Sequence, residues 1–153
     1  MKITDILPEA LVIPVLKGKT KEDVLRELAA AMAAQHPDID ANRLVDVLWE
    51  RERLGSTAIG DGIAIPHGKL PGLKTVLGAF GRHPQGVDFQ SLDGKPTRLL
   101  FLLVAPEDSV GQHLKALARV SRLLKDPAFR NQLMTAADQA ELYRRIHEED
   151  DKY

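Results

Sequence analysis

The sequence predicts the α/β class, built as one domain, and three observations predict it. Apolar residues switch repeatedly along the chain between the spacing of a helix face and that of a strand, the pattern of a layered mixed fold. The run Leu99-Leu100-Phe101-Leu102-Leu103-Val104 has no polar alternation, so both faces of that strand need cover. The chain has 153 residues, enough for a single core that buries about 68–70% of the surface of the unfolded chain.

Each element has its own local cause. Leu11 to Leu16 reads as a strand, and Pro14, lacking a donor, confines it to an edge or an end. Thr20 with Asp23 predicts an N-cap. The helix that follows places Val24, Leu25, Leu28, Ala29 and Met32 on one face and stops before Pro37. Asp40 caps a second helix, apolar at Leu44, Val45, Val47 and Leu48, which ends near Leu54 with Gly55 as a left-handed cap. Gly55, Gly60, Gly62 and Gly68 then enclose the apolar triplet Ile63-Ala64-Ile65. Thr75 to Arg82 reads as a strand. Val87 to Leu92, a turn at Asp93-Gly94, and Thr97 to Ala105 read as a hairpin leading into the buried strand. Ser109 and Gln112 predict a capping box opening a helix to about Lys125. Asp126-Pro127 restarts a short helix, and Asp138 with Glu141 caps a last one that points Leu142 and Ile146 inward. The acidic stretch Glu148 to Asp151 is expected to fray.

Composition removes several function classes. With no Cys, disulfide scaffolds, cysteine-ligated zinc, iron–sulfur clusters and thiolate nucleophiles are excluded. A net charge of −1, from 21 basic and 22 acidic residues, is unlike a general nucleic-acid binder. The longest apolar runs, Leu28 to Ala34 and Leu99 to Ala105, fall far short of the roughly 20 residues that span a bilayer. Asp5, Pro8 and Glu9 break up any leader-like N-terminus. A soluble, cytoplasmic protein without membrane insertion is expected. Gly60-Asp61-Gly62 begins like a dinucleotide fingerprint but has Ile65 at the third glycine position, and Gly68-Lys69 lacks the rest of a nucleotide-binding loop.

Five histidines remain to be weighed, and none sits in a metal-binding pair, so no metal site is expected. His67 has the most unusual setting. Pro66 fixes the backbone before it, Gly68 leaves its approach open, and the triplet Ile63-Ala64-Ile65 brings it to a strand end, where α/β folds place functional groups. On its context alone, a loop histidine exposed by a turn is the commoner reading. His113 falls in the first turns of the helix opened by Ser109, on a face with Leu117, Val120 and Leu124. It is either a satisfied core residue or a group beside an anion at a helix N-terminus. Arg51 and Arg53 suit a helix C-terminus as cations alone, and Lys69 suits solvated surface.

Read together, these residues carry a resemblance. The segment Arg51-Glu52-Arg53-Leu54-Gly55-Ser56-Thr57-Ala58-Ile59-Gly60-Asp61-Gly62-Ile63-Ala64-Ile65-Pro66-His67-Gly68-Lys69 resembles the signature of type-2 enzyme IIA proteins. These form the fructose/mannitol class of the bacterial phosphoenolpyruvate-dependent phosphotransferase system. His113-Leu114-Lys115-Ala116-Leu117-Ala118-Arg119-Val120 is similar to the family's second histidine motif, and the likeness runs from about Ile3 to His147. The wording Gly55-Ser56-Thr57 and Pro66-His67-Gly68-Lys69 is most like the nitrogen-regulatory branch. The lack of a fused module within this sequence favours the same branch.

The resemblance implies a mixed β-sheet flanked by helices on both faces, with residues 1–148 as the enzyme IIA domain and 149–153 as an acidic tail. It implies a phosphohistidine at His67, with Arg51 at the active-site arginine and His113 at the second active-site histidine. The phosphoryl donor would be a histidine phosphocarrier protein, so no nucleotide, metal or other cofactor is needed. A neutral imidazole attacks phosphorus only if its other ring nitrogen holds the proton, against an acceptor that the sequence does not identify. Arg51 offers a planar fork for phosphate oxygens, and the hydroxyls of Ser56 and Thr57 are expected to complete the phosphate cradle. Three readings follow. The protein is a nitrogen-branch phosphocarrier acting on regulatory target proteins, a sugar-transporter IIA passing phosphate to a IIB subunit, or a binding module without transfer activity.

Overall fold

A computed structural model describes residues 1–152. Two 3₁₀ turns, Ile3–Asp5 and Glu9–Leu11, lead into β1 (Val12–Ile13). Helices α1 (Lys21–Gln35) and α2 (Ala41–Arg53) follow, then the short strands β2 (Ala58–Gly60), β3 (Ile63–Ala64) and β4 (His67–Leu70). The long strands β5 (Leu77–Val87) and β6 (Thr97–Pro106) precede α3 (Val110–Lys125), α4 (Pro127–Thr135) and α5 (Gln139–Asp150). The helix caps at Thr20, Asp40, Asp126 and Asp138 each accept first-turn N–H groups, as their sequence positions predict.

Six strands form one mixed sheet. The path is β1-β5-β6-β3-β2, with β4 also paired to β6. The β5–β6 and β2–β3 pairs are antiparallel, whereas β1–β5, β3–β6 and β4–β6 are parallel. Strand β6 lies at the centre, and every residue from Leu99 to Ala105 is buried. One helical group, α1 with α2, lies against β5 and β4, and α3 to α5 form the other, with α3 on β6 and α5 on β1. The α/β class and the two-sided cover match expectation.

Four local expectations are corrected. The first strand is only two residues long, although the Leu16 N–H still donates to the Arg82 carbonyl at 2.8 Å. No separate strand runs from Val87 to Leu92. Instead β5 continues to Val87, which pairs with Thr97 across a register shift, and Asp93-Gly94 turns within the long connection. Ser109 does not cap α3: no first-turn N–H reaches its side chain, whose hydroxyl instead lies toward the Pro106 carbonyl and donates to it at 3.1 Å. The acidic C-terminal stretch does not fray at Glu149 and Asp150. Both are buried in α5, and Asp150 accepts from Arg119 Nε at 2.7 Å and from the Thr4 N–H at 3.3 Å. A carboxylate held by a guanidinium and a backbone N–H replaces the water its charge would otherwise require.

Candidate active site

Strands β3 and β4 follow one another along the same side of β6, pairing with Leu99–Leu100 and then Leu103–Pro106. Pro66 interrupts them because it has no N–H to give, while its carbonyl accepts from the Leu103 N–H at 3.0 Å. At this break the Ile65 N–H turns away to the Thr57 carbonyl at 3.1 Å. His67 is therefore the first residue of a strand fastened to the buried centre of the sheet.

The His67 ring is half-buried, and its Nδ1 lies 2.7 Å from the Ile65 carbonyl oxygen. A carbonyl only accepts, so Nδ1 carries the proton and Nε2 keeps its lone pair. This is the tautomer a nucleophilic imidazole requires, and the acceptor left unidentified by the sequence is Ile65. Burial pushes the His67 pKa below its ordinary value. The Ile65 bond opposes that shift, the Arg51 charge reinforces it, and the Glu52 charge opposes it.

Helix α2 lies close over this strand because residue 68 is glycine. A Cβ at Gly68 would stand 2.6 Å from Val47 Cγ1, well inside contact. One turn beyond Val47, Arg51 sends Nη1 to the Gly55 carbonyl at 3.0 Å. Gly55 itself has φ +145°, positive but far from the left-handed helical value expected of it, and its N–H donates to the Glu52 carbonyl. From the other side α3 contributes His113, whose ring centre is 5.5 Å from that of His67 at a tilt of 53°. His113 is buried, and its Nδ1 has no hydrogen-bond partner among the described residues. Burial lowers its pKa too, followed by the charges of His67 and Lys69.

These groups line one open cleft of about 420 Å³, in which His67, His113, Arg51 and Lys69 meet the apolar edges of Val47 and Leu54. Two adjacent cations and two imidazoles kept neutral suit a dianionic group delivered to Nε2 of His67. A larger cavity of about 580 Å³ lies between Val15–Lys19 and His83–Gly86. Its backbone donors at Lys17 and Gly18 are already taken by the Glu27 carboxylate.

The structure thus brings Arg51, His67 and His113 together and adds Lys69. It separates Arg53, which pairs with Glu50 at 2.9 Å on the exposed side of α2. The hydroxyls of Ser56 and Thr57, expected in the phosphate cradle, are engaged elsewhere in this structure. The Ser56 hydroxyl donates to the Phe89 carbonyl, and the buried Thr57 hydroxyl donates to Glu52, so neither is directed to the cleft. Glu52 escaped the reading of individual residues. Its signal was an acid at the end of the apolar stripe Leu44, Leu48, Glu52, where a charge needs a partner. That partner is Lys21, with Nζ 2.8 Å from Oε1 and both side chains buried. Among the described residues no group of three or more acidic or histidine side chains is placed to hold a metal ion, and no helix is long and apolar enough to cross a membrane.

Comparison with known proteins places this geometry in a family. Residues 5–149 match the family described as phosphoenolpyruvate-dependent sugar phosphotransferase system, EIIA 2. A nitrogen regulatory protein of Bradyrhizobium diazoefficiens is 45% identical over 143 residues, covering 94% of this chain and 93% of that protein. The fructose-specific EIIABC component of Bacillus subtilis is 37% identical over 150 residues, covering 98% of this chain but 24% of that longer protein. The crystal structure of the nitrogen regulatory protein IIA-Ntr from Neisseria meningitidis superposes with a TM-score of 0.87 at 32% identity, covering 94% of this chain and 98% of that one.

Proposed function

The chain belongs to the EIIA 2 family of the phosphoenolpyruvate-dependent phosphotransferase system, and from that premise we propose that it accepts a phosphoryl group on Nε2 of His67 from a histidine phosphocarrier protein and acts in nitrogen and metabolic regulation in the cytoplasm through its phosphorylation state. The observation that carries this reading is the Nδ1–H bond to the Ile65 carbonyl, which leaves Nε2 unprotonated in an open cleft.

In the transfer, the Nε2 lone pair attacks phosphorus while the donor's P–N bond breaks. The donor ring keeps the proton on its other nitrogen, His67 keeps Nδ1–H, and no net proton moves. Charge spreads over the three equatorial oxygens in the transition state, so positioning and electrostatics do the catalysis. Arg51 presents two parallel donors to those oxygens, with its guanidinium anchored at Gly55. Lys69 adds a second positive charge, and His113 offers a ring nitrogen to the phosphoryl group from the opposite wall.

The regulatory branch is favoured by the 45% identity to a nitrogen regulatory protein along nearly all of both chains. The second reading, a transporter IIA that hands its phosphate to a IIB subunit, is supported by the 37% identity to the fructose-specific component. The chemistry at His67 is the same in both. A binding module without transfer is disfavoured by the assembled Arg51, His67 and His113.

One experiment tests the site and the branch. The protein is incubated with phosphorylated sugar-type and nitrogen-type phosphocarriers from one host, and initial rates are followed with peptide mapping. A single phosphohistidine at His67, labile to acid and stable to base, is expected, with faster labelling by the nitrogen-type donor. Protonating Nε2 removes the nucleophile, and the lowered His67 pKa delays this as the pH falls. Labelling should therefore persist below pH 6.5, the ordinary histidine value. Stoichiometric labelling of His67→Ala rejects the site, and preference for the sugar-type donor moves the protein to the transporter branch.

A further inference from the structure

We infer that Glu52, with Lys21 as its buried counter-ion, is a positioning residue that holds the His67 ring through a run of hydrogen bonds by way of Thr57 and Ile65. The inference builds on the phosphocarrier reading of His67. Glu52 touches neither phosphate nor the His67 ring in this arrangement; it acts through Thr57 and the backbone.

The run can be followed atom by atom. Glu52 Oε1 accepts the Thr57 N–H at 3.0 Å, and Oε2 accepts the Thr57 hydroxyl. The Thr57 carbonyl accepts the Ile65 N–H at 3.1 Å. The Ile65 carbonyl in turn accepts His67 Nδ1–H at 2.7 Å, the bond that selects the tautomer. Arg51 is anchored to the same turn by the backbone alone, since the Glu52 main-chain carbonyl accepts the Gly55 N–H at 3.0 Å and the Gly55 carbonyl accepts Arg51 Nη1 at 3.0 Å. The Glu52 side chain thus fixes the Thr57 end of the turn from Gly55 to Thr57, and the backbone of α2 fixes the other.

The residue type fits the task. A carboxylate is purely an acceptor with two oxygens, so it can take an N–H and an O–H from one residue and still face an ammonium. Lys21 is committed as fully. Its Nζ reaches Glu52 at 2.8 Å and Gln90 Oε1 at 3.2 Å, and it lies 4.7 Å from the centre of the Phe89 ring. The Ser56 hydroxyl closes the arrangement by donating to the Phe89 carbonyl and accepting the Ala58 N–H. The turn is therefore tied to the start of α1 and to the β5–β6 connection as well as to α2. A buried ion pair is weak evidence for stability, because an apolar pair of similar volume often serves as well. Its value here lies in the bonds it directs.

The test separates direction from stability. Lys21→Met/Glu52→Leu removes both charges and the bonds to Thr57 without leaving a lone buried ion. Lys21→Met/Glu52→Gln removes the charges but keeps an acceptor for the Thr57 N–H and a donor for its hydroxyl. Melting temperature, nitrogen-15 shifts of the His67 ring and the rate of labelling by a phosphorylated histidine phosphocarrier protein are measured for each. The leucine variant should fold, lose the predominance of the Nδ1–H tautomer and label about 10- to 100-fold more slowly, the scale of a small misplacement at a reacting centre. The glutamine variant should recover most of the tautomer and the rate. An unchanged tautomer and rate in the folded leucine variant, or a glutamine variant as slow as the leucine one, overturns the inference. If the leucine variant does not fold, Thr57→Val takes its place, since it deletes one of the two bonds to Glu52. It should shift the tautomer and slow labelling, and no change in either overturns the inference. If the unaltered protein takes no phosphate on His67, the phosphocarrier reading fails, while the ring shifts still decide whether Glu52 sets the tautomer.

Discussion

Arg51 and Arg53 leave the same helical turn and meet different surroundings. Arg53 pairs with Glu50 in solvent, whereas Arg51 is anchored at the Gly55 carbonyl and lines the cleft of His67. As a cation at a helix end each adds about 0.3–1 kcal/mol, and lysine serves nearly as well because the dipole senses only charge. As a clamp on a phosphoryl group Arg51 needs its planar fork, which lysine lacks. Arg51→Lys should therefore melt like the unaltered protein but transfer roughly 10²–10³-fold more slowly. That corresponds to about 2.7–4 kcal/mol of transition-state stabilisation, as for a lost oxyanion donor. Arg53→Lys should transfer normally. Single-turnover labelling of the two variants makes the comparison, and equal rates would reduce Arg51 to a helix-end charge.

Between elements, the controlling contact is the approach of α2 to β4 at Gly68 and Val47. Adding a methyl at residue 68 forces it against Val47 Cγ1 at 2.6 Å, so the helix must lift or Val47 must turn. Gly68→Ala should cost about 1–3 kcal/mol, as overpacking does, and slow labelling by moving Arg51 away from His67. Val47→Ala/Gly68→Ala restores the space and should recover both, a coupling that denaturant titration and labelling rates measure together. This contact also shows what was legible in the sequence. The apolar run of β6 and the acidic helix caps write their cause locally, so the layers were readable from the residues themselves, whereas the grouping of Arg51, His67 and His113 was implied by the family resemblance. The commitments of Ser56 and Thr57 were not readable, because Phe89 and the orientation of Glu52 decide them, and Phe89 is remote in sequence. Ser109 fails as a cap for a similar reason, since its hydroxyl lies toward a nearby carbonyl and no first-turn N–H reaches it. The burial of Asp150 depends on Arg119 and Thr4, which only the folded chain brings to it.

Across the whole molecule, the site is set on parts that have little freedom to move. His67 is fastened in register to Leu103 at the middle of a buried strand, and the helix that carries His113 is tied to both chain ends through Arg119, Asp150 and Thr4. A phosphoryl group brings about −1.5 to −2 charges, and Arg51 and Lys69 already face the place it would occupy. Charge compensation is therefore available without rearranging the layers. Phosphorylation should alter hydrogen exchange within residues 55–69 and 109–117 and leave the rest of the sheet and helices as they were. Signalling would then act through what the altered face attracts or repels, because partner binding senses the new local potential rather than a new fold. Exchange measured on the phosphorylated and unmodified protein under identical conditions decides this. Changes of comparable size in α4, α5 or β1 would instead mean that the added charge is relieved by a concerted shift, with the contacts of Asp150 the first expected to loosen.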